Sequence, residues 1–268
     1  MTHLYQLPDS TVEDYQRNGA VVLRGVLSPQ QVTLLTQGIE HNLQHLSPLA
    51  QVASKADDPG RFIEDFCTWQ SNAAYEQIMR RSALPEVARA LTQSSSVRIY
   101  HDHLLVKEPG TRQPTPWHQD QPYYNVSGRQ NVSFWIPVDP VPLESTLRFV
   151  SGSHAGTWYM PRTFRDNQAK WFPDGTLAEL PAIDAEPDRY RQLAWDLEPG
   201  DAVAFHMLTL HASGGVSPTH RRRVFSARYL GDDARHALRP WRTSPPFPGL
   251  DERLPDGAPM EDALFPML

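Results

Sequence analysis

Hydrophobic residues follow two different periods along this chain of 268 residues, and the change comes near residue 97. In the N-terminal third, apolar residues recur at steps of three or four, which is the spacing of one apolar helical face. This face comprises Val32, Leu35, Ile39, Leu43 and Leu46. Ser28 and Pro29 precede it as an N-cap residue and a first-turn proline, so we predict a helix that begins at residue 29.

Shorter elements are predicted on both sides of this helix. Residues 11–18 favour a short helix that ends at Gly19, and residues 20–23 favour a short strand. A further helical stretch covers about residues 72–93 and contains Pro85. Because proline is excluded from helix interiors, we expect Pro85 to begin a new turn or to kink the helix.

From residue 97 onwards, short β-rich runs are bounded by Pro, Gly, Asp or Asn, a pattern typical of a sandwich, a jelly roll or a barrel. The runs are 97–107, 131–138, 146–150, 192–197, 201–208 and 222–230. Between them, residues 151–191 form a polar and aromatic insert that we interpret as a lid over a binding site or a packed surface loop. Its aromatic residues are Trp158, Tyr159, Phe164, Trp171 and Phe172.

The distribution of proline refines this organisation. Of 25 prolines, seven lie between Pro109 and Pro142 and seven between Pro240 and Pro266. The first group indicates strands interrupted by turns, and the second an irregular tail. We predict one domain over residues 1–268. Residues 1–96 would form mostly helical support, 97–235 a β core containing the insert, and 236–268 the tail.

Composition excludes several classes of function. The single Cys67 excludes an intramolecular disulfide, thiolate zinc sites and cysteine-ligated iron–sulfur clusters, whereas 11 histidines leave nitrogen and oxygen ligation open. The formal net charge of −6 argues against nucleic acid as the main partner. No apolar run approaches the roughly 20 residues that span a bilayer, and the N-terminus does not resemble a signal peptide. We therefore expect no membrane partner and a cytoplasmic location.

The strongest local signal for chemistry is the pair His118 and Asp120. Residues i and i+2 of a strand face the same side, so an imidazole and a carboxylate can converge there. A second histidine would complete the two-His, one-carboxylate triad of non-heme iron(II) oxygenases. The candidates are His206 and His211. They face opposite ways on a regular strand, and we favour His211 because it lies where the run opens into a loop.

A basic segment, residues 220–223, comes next, and its third residue lies eleven positions after His211. A turn containing Pro218 and a returning strand would bring an arginine of this segment back beside the metal, where a buried guanidinium can hold a dicarboxylate. We expect the neighbouring Arg221 and Arg223 to be solvated.

The combination of His118-x-Asp120, His211-x-Ser213 and Arg222 resembles the phytanoyl-CoA dioxygenase-like family of iron(II)/2-oxoglutarate oxygenases. Flanking segments share the resemblance, so that it extends over nearly the whole chain. These segments are 14–27, 104–110, 146–154 and 198–201.

The resemblance implies a mainly β fold: a double-stranded β-helix, or jelly roll, related to the cupins and supported by N-terminal helices. It implies that His118, Asp120 and His211 bind iron(II) and that Arg222 binds the distal carboxylate of 2-oxoglutarate. Ser213 would contact the same co-substrate. Trp135 corresponds to an aromatic residue that lines this pocket in relatives, although a core position on its strand is an equally good interpretation.

The implied reaction is the oxidation of a small organic substrate with dioxygen, and it releases succinate and CO₂. Halogenating relatives replace the carboxylate ligand with a small residue, so Asp120 favours hydroxylation or a related oxidation. Two segments depart from the family pattern. Residues 143–145 replace the usual Glu-Asn-Gly, and Val216 stands where relatives often have asparagine.

Other interpretations of the same residues remain open. A non-catalytic jelly-roll binding protein would keep the fold without the reaction, and a cupin-like metalloenzyme would keep the metal without 2-oxoglutarate. His101 and His103 share one face of a strand and could form a second metal pair or line the substrate pocket, although packing or hydrogen bonding is the simpler expectation. The chain contains neither His-Glu-x-x-His nor Gly-x-Ser-x-Gly, the signatures of common metallopeptidases and serine hydrolases.

Overall fold

The computed structural model describes residues 5–161 and 176–268, and β-strands dominate this part of the chain. The helices are α1 Asp9–Asn18, α2 Pro29–Gln44, α3 Ala73–Arg81, α4 Leu84–Thr92 and α5 Leu250–Arg253. The strands before the insert are β1 Ala20–Leu23, β2 Gln51–Val52, β3 Phe62–Phe66, β4 Arg98–Lys107, β5 Thr115–His118, β6 Val126–Ser127, β7 Asn131–Pro137 and β8 Leu147–Val150. The remaining strands are β9 Gln192–Ala194, β10 Ala202–Phe205, β11 His211–Ser213, β12 Arg222–Leu230 and β13 Arg235–His236.

Two antiparallel sheets form the body of the protein. The larger sheet has the strand order β1-β10-β7-β12-β4-β3-β2, and the smaller sheet has the order β5-β11-β8-β9. From β7 to β12 the chain passes repeatedly from one sheet to the other, as β7, β10 and β12 belong to the larger sheet and β8, β9 and β11 to the smaller one. The predicted mainly β, jelly-roll fold with N-terminal helices is therefore confirmed.

The N-terminal helices cover the outer face of the larger sheet. Helix α2 begins at a capping box in which the Ser28 hydroxyl accepts a hydrogen bond from the Gln31 amide, as the sequence predicts. Its apolar face is fully buried at Leu35 and Ile39, whereas Leu46 lies beyond the end of the helix and is exposed. The Tyr229 hydroxyl of β12 donates to the Met79 carbonyl of α3 at 2.8 Å, and this bond ties the helices to the sheet.

Pro85 lies at the start of the second of two consecutive helices. The predicted helical stretch 72–93 consists of α3 and α4, and Pro85 lies in the first turn of α4, as expected for a residue that begins a new turn. Three short strands, β1, β2 and β3, also belong to the N-terminal third and extend the larger sheet at both of its edges. The sequence analysis predicted β1 but missed β2 and β3.

An apolar cluster fills the space between the inner faces of the two sheets, separate from the apolar contacts between the helices and the larger sheet. Trp135, Val203 and Phe205 of the larger sheet pack there with Leu147 and Phe149 of the smaller sheet. The ring centroids of Phe149 and Phe205 are 5.2 Å apart. The predicted functional residues lie at the border of this cluster, between the sheets.

The C-terminal tail returns to the sheets and packs on them. The Ile99 amide donates to the Pro266 carbonyl at 3.1 Å, and the Trp241 indole donates to the Pro122 carbonyl at 3.0 Å. The tail thus covers the β core. None of the described helices is long and apolar enough to cross a membrane.

The flanks of the insert are attached to the segment that carries His118 and Asp120. Gln119 donates to the Thr157 carbonyl at 3.0 Å and accepts from the Tyr159 amide at 2.9 Å. On the other side, the Trp117 indole donates to the Asp184 carboxylate at 3.0 Å. Phe164, Trp171 and Phe172 of the predicted aromatic lid lie outside the described residues.

Candidate metal centre

His118, Asp120 and His211 come together where β5 and β11 pair. The register places His118, the last residue of β5, opposite His211, the first residue of β11, and their ring centroids are 4.1 Å apart. Asp120 lies in the turn that follows, and the Met207 carbonyl fixes this turn by accepting from the Asp120 amide at 2.8 Å. The alternation of a strand therefore does not explain the convergence of His118 and Asp120, because β5 ends at His118.

The three side chains present their ligand atoms to one point. Oδ1 of Asp120 lies 3.5 Å from Nε2 of His118 and 3.6 Å from Nε2 of His211. All three residues are buried, and the three ligand atoms lie within 4.8 Å of one another. Among residues 5–161 and 176–268, this is the one group of three His, Cys, Asp or Glu side chains that can hold a metal ion.

Backbone carbonyls orient both imidazoles. Nδ1 of His118 lies 2.8 Å from the Pro116 carbonyl, and Nδ1 of His211 lies 2.8 Å from the Thr209 carbonyl. Since a carbonyl oxygen only accepts hydrogen bonds, each Nδ1 carries the proton and each Nε2 directs its lone pair toward Asp120. Two neutral imidazole nitrogens and one carboxylate oxygen form the donor set that non-heme iron(II) prefers, so the residues fit this metal.

Electrostatics keep Asp120 ionised. Burial alone would raise the pKa of this carboxyl group, but the positive charge of the adjacent Arg228 guanidinium opposes that effect, and the pKa lies well below its usual range. Arg228 donates to Oδ2 at 3.1 Å, and the Ser133 hydroxyl lies 3.4 Å from the same oxygen. These contacts occupy Oδ2 and leave Oδ1 facing the histidines.

The two candidate distal histidines have different surroundings. His211 stays neutral, because burial and the nearby His118 lower its pKa to about 3. His206 follows the end of β10 and does not join the triad. Its Nε2 contacts the Arg129 carbonyl at 2.9 Å, and its Nδ1 accepts from the Leu208 amide at 3.0 Å. The structure thus brings His211, and not His206, to His118 and Asp120, but His211 begins a strand of the other sheet rather than ending the strand of His206.

Arg222 and Ser213 meet at the other end of β11. The Arg222 guanidinium is buried, and its Nη2 donates to the Ser213 hydroxyl at 3.2 Å. Its Nη1 donates to the Ser145 carbonyl, and its Cζ lies 5.4 Å from the centre of the Trp135 ring. Burial lowers the pKa of Arg222 to about 10. In the part of the chain that the structure describes, no carboxylate lies within ion-pair distance of Arg222.

One buried cavity, about 40 Å³ in volume, joins the triad to Arg222. Its walls include the remaining predicted site residues, Ser213 and Trp135, together with His103 and Ser226. Nε2 of His103 lies 3.0 Å from the Glu64 carboxylate, so this histidine is hydrogen-bonded as the simpler expectation proposed. His101 lines a different cavity near the tail, so the two histidines do not share one cavity, and neither belongs to the three-residue group found among the described residues.

The prediction that Arg221 and Arg223 are solvated was wrong. Both side chains are partly buried in ion pairs rather than solvated. Arg221 contacts Glu108 and Arg223 contacts Glu40, at 2.9 and 2.7 Å respectively. Carboxylates distant in the sequence determine this arrangement, and the local basic run gives no sign of them.

Sequence reasoning missed Arg228, which contacts the Asp120 carboxylate. A usable signal was present. Arg228 stands six residues after Arg222, and even spacing on one strand places both side chains on the same face.

The sequence is similar to one known family of dioxygenases. The family model of phytanoyl-CoA dioxygenase matches residues 15–224. The multifunctional dioxygenase prhA of Penicillium brasilianum is 23% identical over 245 residues, which cover 87% of this chain and 74% of that protein. A probable phytanoyl-CoA dioxygenase of Caenorhabditis elegans is 20% identical over 236 residues, with 82% and 74% covered.

Solved structures share the fold. The α-ketoglutarate-dependent carbocyclase SnoK from nogalamycin biosynthesis superposes with a TM-score of 0.76 at 22% identity, over 98% of this chain and 97% of that one. The epimerase SnoN from the same biosynthesis, in complex with Fe³⁺, α-ketoglutarate and nogalamycin RO, gives a TM-score of 0.73 at 20% identity, with 97% of both chains covered.

The jelly roll with a His-Asp-His group between its sheets defines a non-heme iron and 2-oxoglutarate dioxygenase, the class that the sequence predicted. More specifically, the chain belongs to the phytanoyl-CoA dioxygenase family, because the family model matches more than half of its length.

Proposed function

We propose that the protein hydroxylates an unactivated C–H bond of a small organic substrate, with consumption of dioxygen and 2-oxoglutarate and release of succinate and CO₂. The observation that carries this proposal is the single buried cavity that joins the His118-Asp120-His211 group to Arg222 and Ser213. A metal site and a cation for a dicarboxylate therefore share one enclosed space.

Each residue has a distinct part in this proposal. His118, Asp120 and His211 hold the metal on one side and leave its other side toward the cavity. Bound iron supplies the redox chemistry that activates dioxygen. Arg222 and Ser213 bind the distal carboxylate of 2-oxoglutarate, because the guanidinium is buried and has no acidic partner among the described residues. Trp135 forms the wall beneath Arg222.

Burial has two consequences for the reaction. The cavity excludes bulk water, so the charges of Arg222 and Asp120 act at short range without screening by solvent. The side chains are also fixed before any ligand binds, since the imidazoles and Arg222 all make hydrogen bonds to backbone carbonyls. The site is thus preorganised to orient a co-substrate.

Several oxidative outcomes occur on this fold. SnoK is a carbocyclase and SnoN an epimerase. Asp120 supplies the carboxylate that halogenating relatives lack, so for this chain we propose hydroxylation or a related C–H oxidation rather than halogenation.

The test is an anaerobic titration of the protein with iron(II) and 2-oxoglutarate, followed by a screen for succinate release on admission of air. We expect a visible charge-transfer band that His118→Ala abolishes and that His220→Ala, which removes an exposed histidine, leaves unchanged. Absence of the band at saturating iron and 2-oxoglutarate would favour a non-catalytic binding protein. Iron binding and oxygen consumption without any need for 2-oxoglutarate would favour the cupin-like alternative.

A further inference from the structure

A second buried arginine, Arg228, shares the inner face of β12 with Arg222. The two residues are six positions apart, a separation of roughly 20 Å along an extended strand. Arg222 contacts Ser213, two residues beyond His211 on β11, whereas Arg228 contacts Asp120. The metal-ligating group therefore lies between two buried cations, and only Arg222 is used by the proposed function.

Arg228 keeps unused hydrogen-bonding capacity. Its side chain is only 4% exposed, and Nη2 is engaged by Oδ2 of Asp120 at 3.1 Å. Nε and Nη1 are buried and complete no hydrogen bond of normal geometry among residues 5–161 and 176–268, although the side chain of Tyr124 lies against the same guanidinium. The buried hydroxyl of Ser226, two residues earlier on the same face, also lacks a partner there.

Unpaired buried donors of this kind are costly, and they are uncommon unless a ligand or an ordered water completes them. Arg228 and Ser226 both line the cavity that holds the triad, so a ligand in that cavity can reach them. The missing partner must accept hydrogen bonds, since a guanidinium only donates.

The positive charge of Arg228 favours an anionic acceptor over an uncharged one. The ion-pair partner of Arg228 is Asp120, which the proposed function also assigns to the metal. A carboxylate supplies a second anionic acceptor and can take two N–H groups of one guanidinium side by side. An uncharged carbonyl or hydroxyl would satisfy fewer of these donors and leave the positive charge less balanced.

We propose that Arg228, assisted by Ser226, binds a carboxylate group of the substrate on the side of the metal site opposite Arg222. The substrate would thus be an organic acid, with one cation for the co-substrate and another for the substrate. This inference rests on the proposed function, because it places the acid beside a metal site that carries out the reaction.

The experiment uses the full chain loaded anaerobically with iron(II) and saturating 2-oxoglutarate. The probes are a panel of aliphatic and aromatic carboxylic acids, each paired with the primary amide of the same carbon skeleton. The readouts are the perturbation of the charge-transfer band, which gives a Kd for each compound, and the shift in Tm. Neither readout requires turnover.

In the wild-type protein, we expect at least one acid to bind roughly 10 to 100-fold more tightly than its amide, as for a hydrogen bond between charged groups. Arg228→Gln should remove this preference, and Arg228→Lys should restore part of it. Arg17→Gln serves as the control, because it removes one positive charge from an exposed ion pair on α1.

Arg228→Gln also alters the contact with Asp120, so Ser226→Ala provides a second route to the answer. It should weaken binding of the acid several-fold more than it weakens binding of the amide. Equal binding of acids and amides by wild-type protein, or a preference that survives in both variants, overturns the inference. If the wild-type protein gives no band, the proposed function has failed instead.

Discussion

At the scale of single residues, the environment of a side chain decides its chemistry in this protein. His206 and His211 are five positions apart, and both are buried and neutral. His211 directs Nε2 toward Asp120, whereas both ring nitrogens of His206 are engaged by the backbone. His211 can therefore serve as a ligand, and His206 is a structural residue.

The buried His206 makes stability depend on pH. Burial and the nearby His154 lower its pKa in the folded protein to about 3, while an unfolded chain has a value near 6.5. Between these values the unfolded state binds more protons, so the contribution is complete above pH 6.5 and is lost as the pH falls. We expect His206→Gln to reduce the dependence of the free energy of unfolding on pH, by up to about 1.4 kcal/mol per pH unit.

Urea denaturation of wild type and variant at pH 7, 6 and 5 measures this effect. The exposed His220→Gln is the matched control and should keep the slope of the wild-type protein. Parallel slopes for wild type and His206→Gln would contradict a buried, neutral His206.

At the scale of elements, alternate residues of β12 have different roles, because those on one face line the cavity and those on the other pack against the helices. Arg222, Ser226 and Arg228 face the cavity between the sheets. Arg223 and Phe225 face the helices, where Arg223 contacts Glu40 of α2 and Phe225 packs against Tyr75 of α3. One strand therefore supplies the arginine proposed to bind 2-oxoglutarate and also the residues that pack against the helices.

Substitutions at neighbouring positions of β12 should therefore change different quantities: the affinity for 2-oxoglutarate on one face and the stability on the other. Arg222→Met should raise the Kd for 2-oxoglutarate roughly 10 to 100-fold, because it removes a charged hydrogen-bond donor. Arg223→Met should leave that Kd unchanged and lower the free energy of unfolding by about 1–2 kcal/mol, because Glu40 and Asp139 lose a partly buried partner. Titration of the charge-transfer band and chemical denaturation measure the two quantities. An equal loss of 2-oxoglutarate affinity in both variants would be inconsistent with this division.

At the scale of the whole molecule, the C-terminal tail completes the core although it lies beyond the segment matched by the family model. Phe265 is fully buried, and its ring packs against Tyr100 of β4 and Phe247 at centroid distances of 5.5 and 5.1 Å. The tail therefore supports the strand that carries His101 and His103.

Phe265→Ala should lower the free energy of unfolding by about 3–5 kcal/mol, since it leaves a cavity in this cluster. Met267→Ala is the control, because Met267 is 54% exposed and should change stability by no more than about 0.5 kcal/mol. Chemical denaturation of both variants is the measurement. A small effect at Phe265 would show that the tail is not part of the cooperative core.

The sequence predicted the parts of the fold whose physical cause is local. The capping residue Ser28, the apolar spacing of α2 and the position of Pro85 depend on neighbours within a few residues. By contrast, β3 was missed because its central residues are Glu64 and Asp65. Their burial is made tolerable by His103 and by Asn42, which lie far along the chain.

The candidate site divides in the same way. The sequence by itself determined His118, Asp120 and Arg222 as candidates, since a short motif and a spacing identify them. Only the tertiary structure placed His211 opposite His118, engaged His206 elsewhere and brought Arg228 to Asp120. The reason is physical: a chain of residues fixes which groups are available, whereas the pairing of strands from two sheets fixes which groups meet.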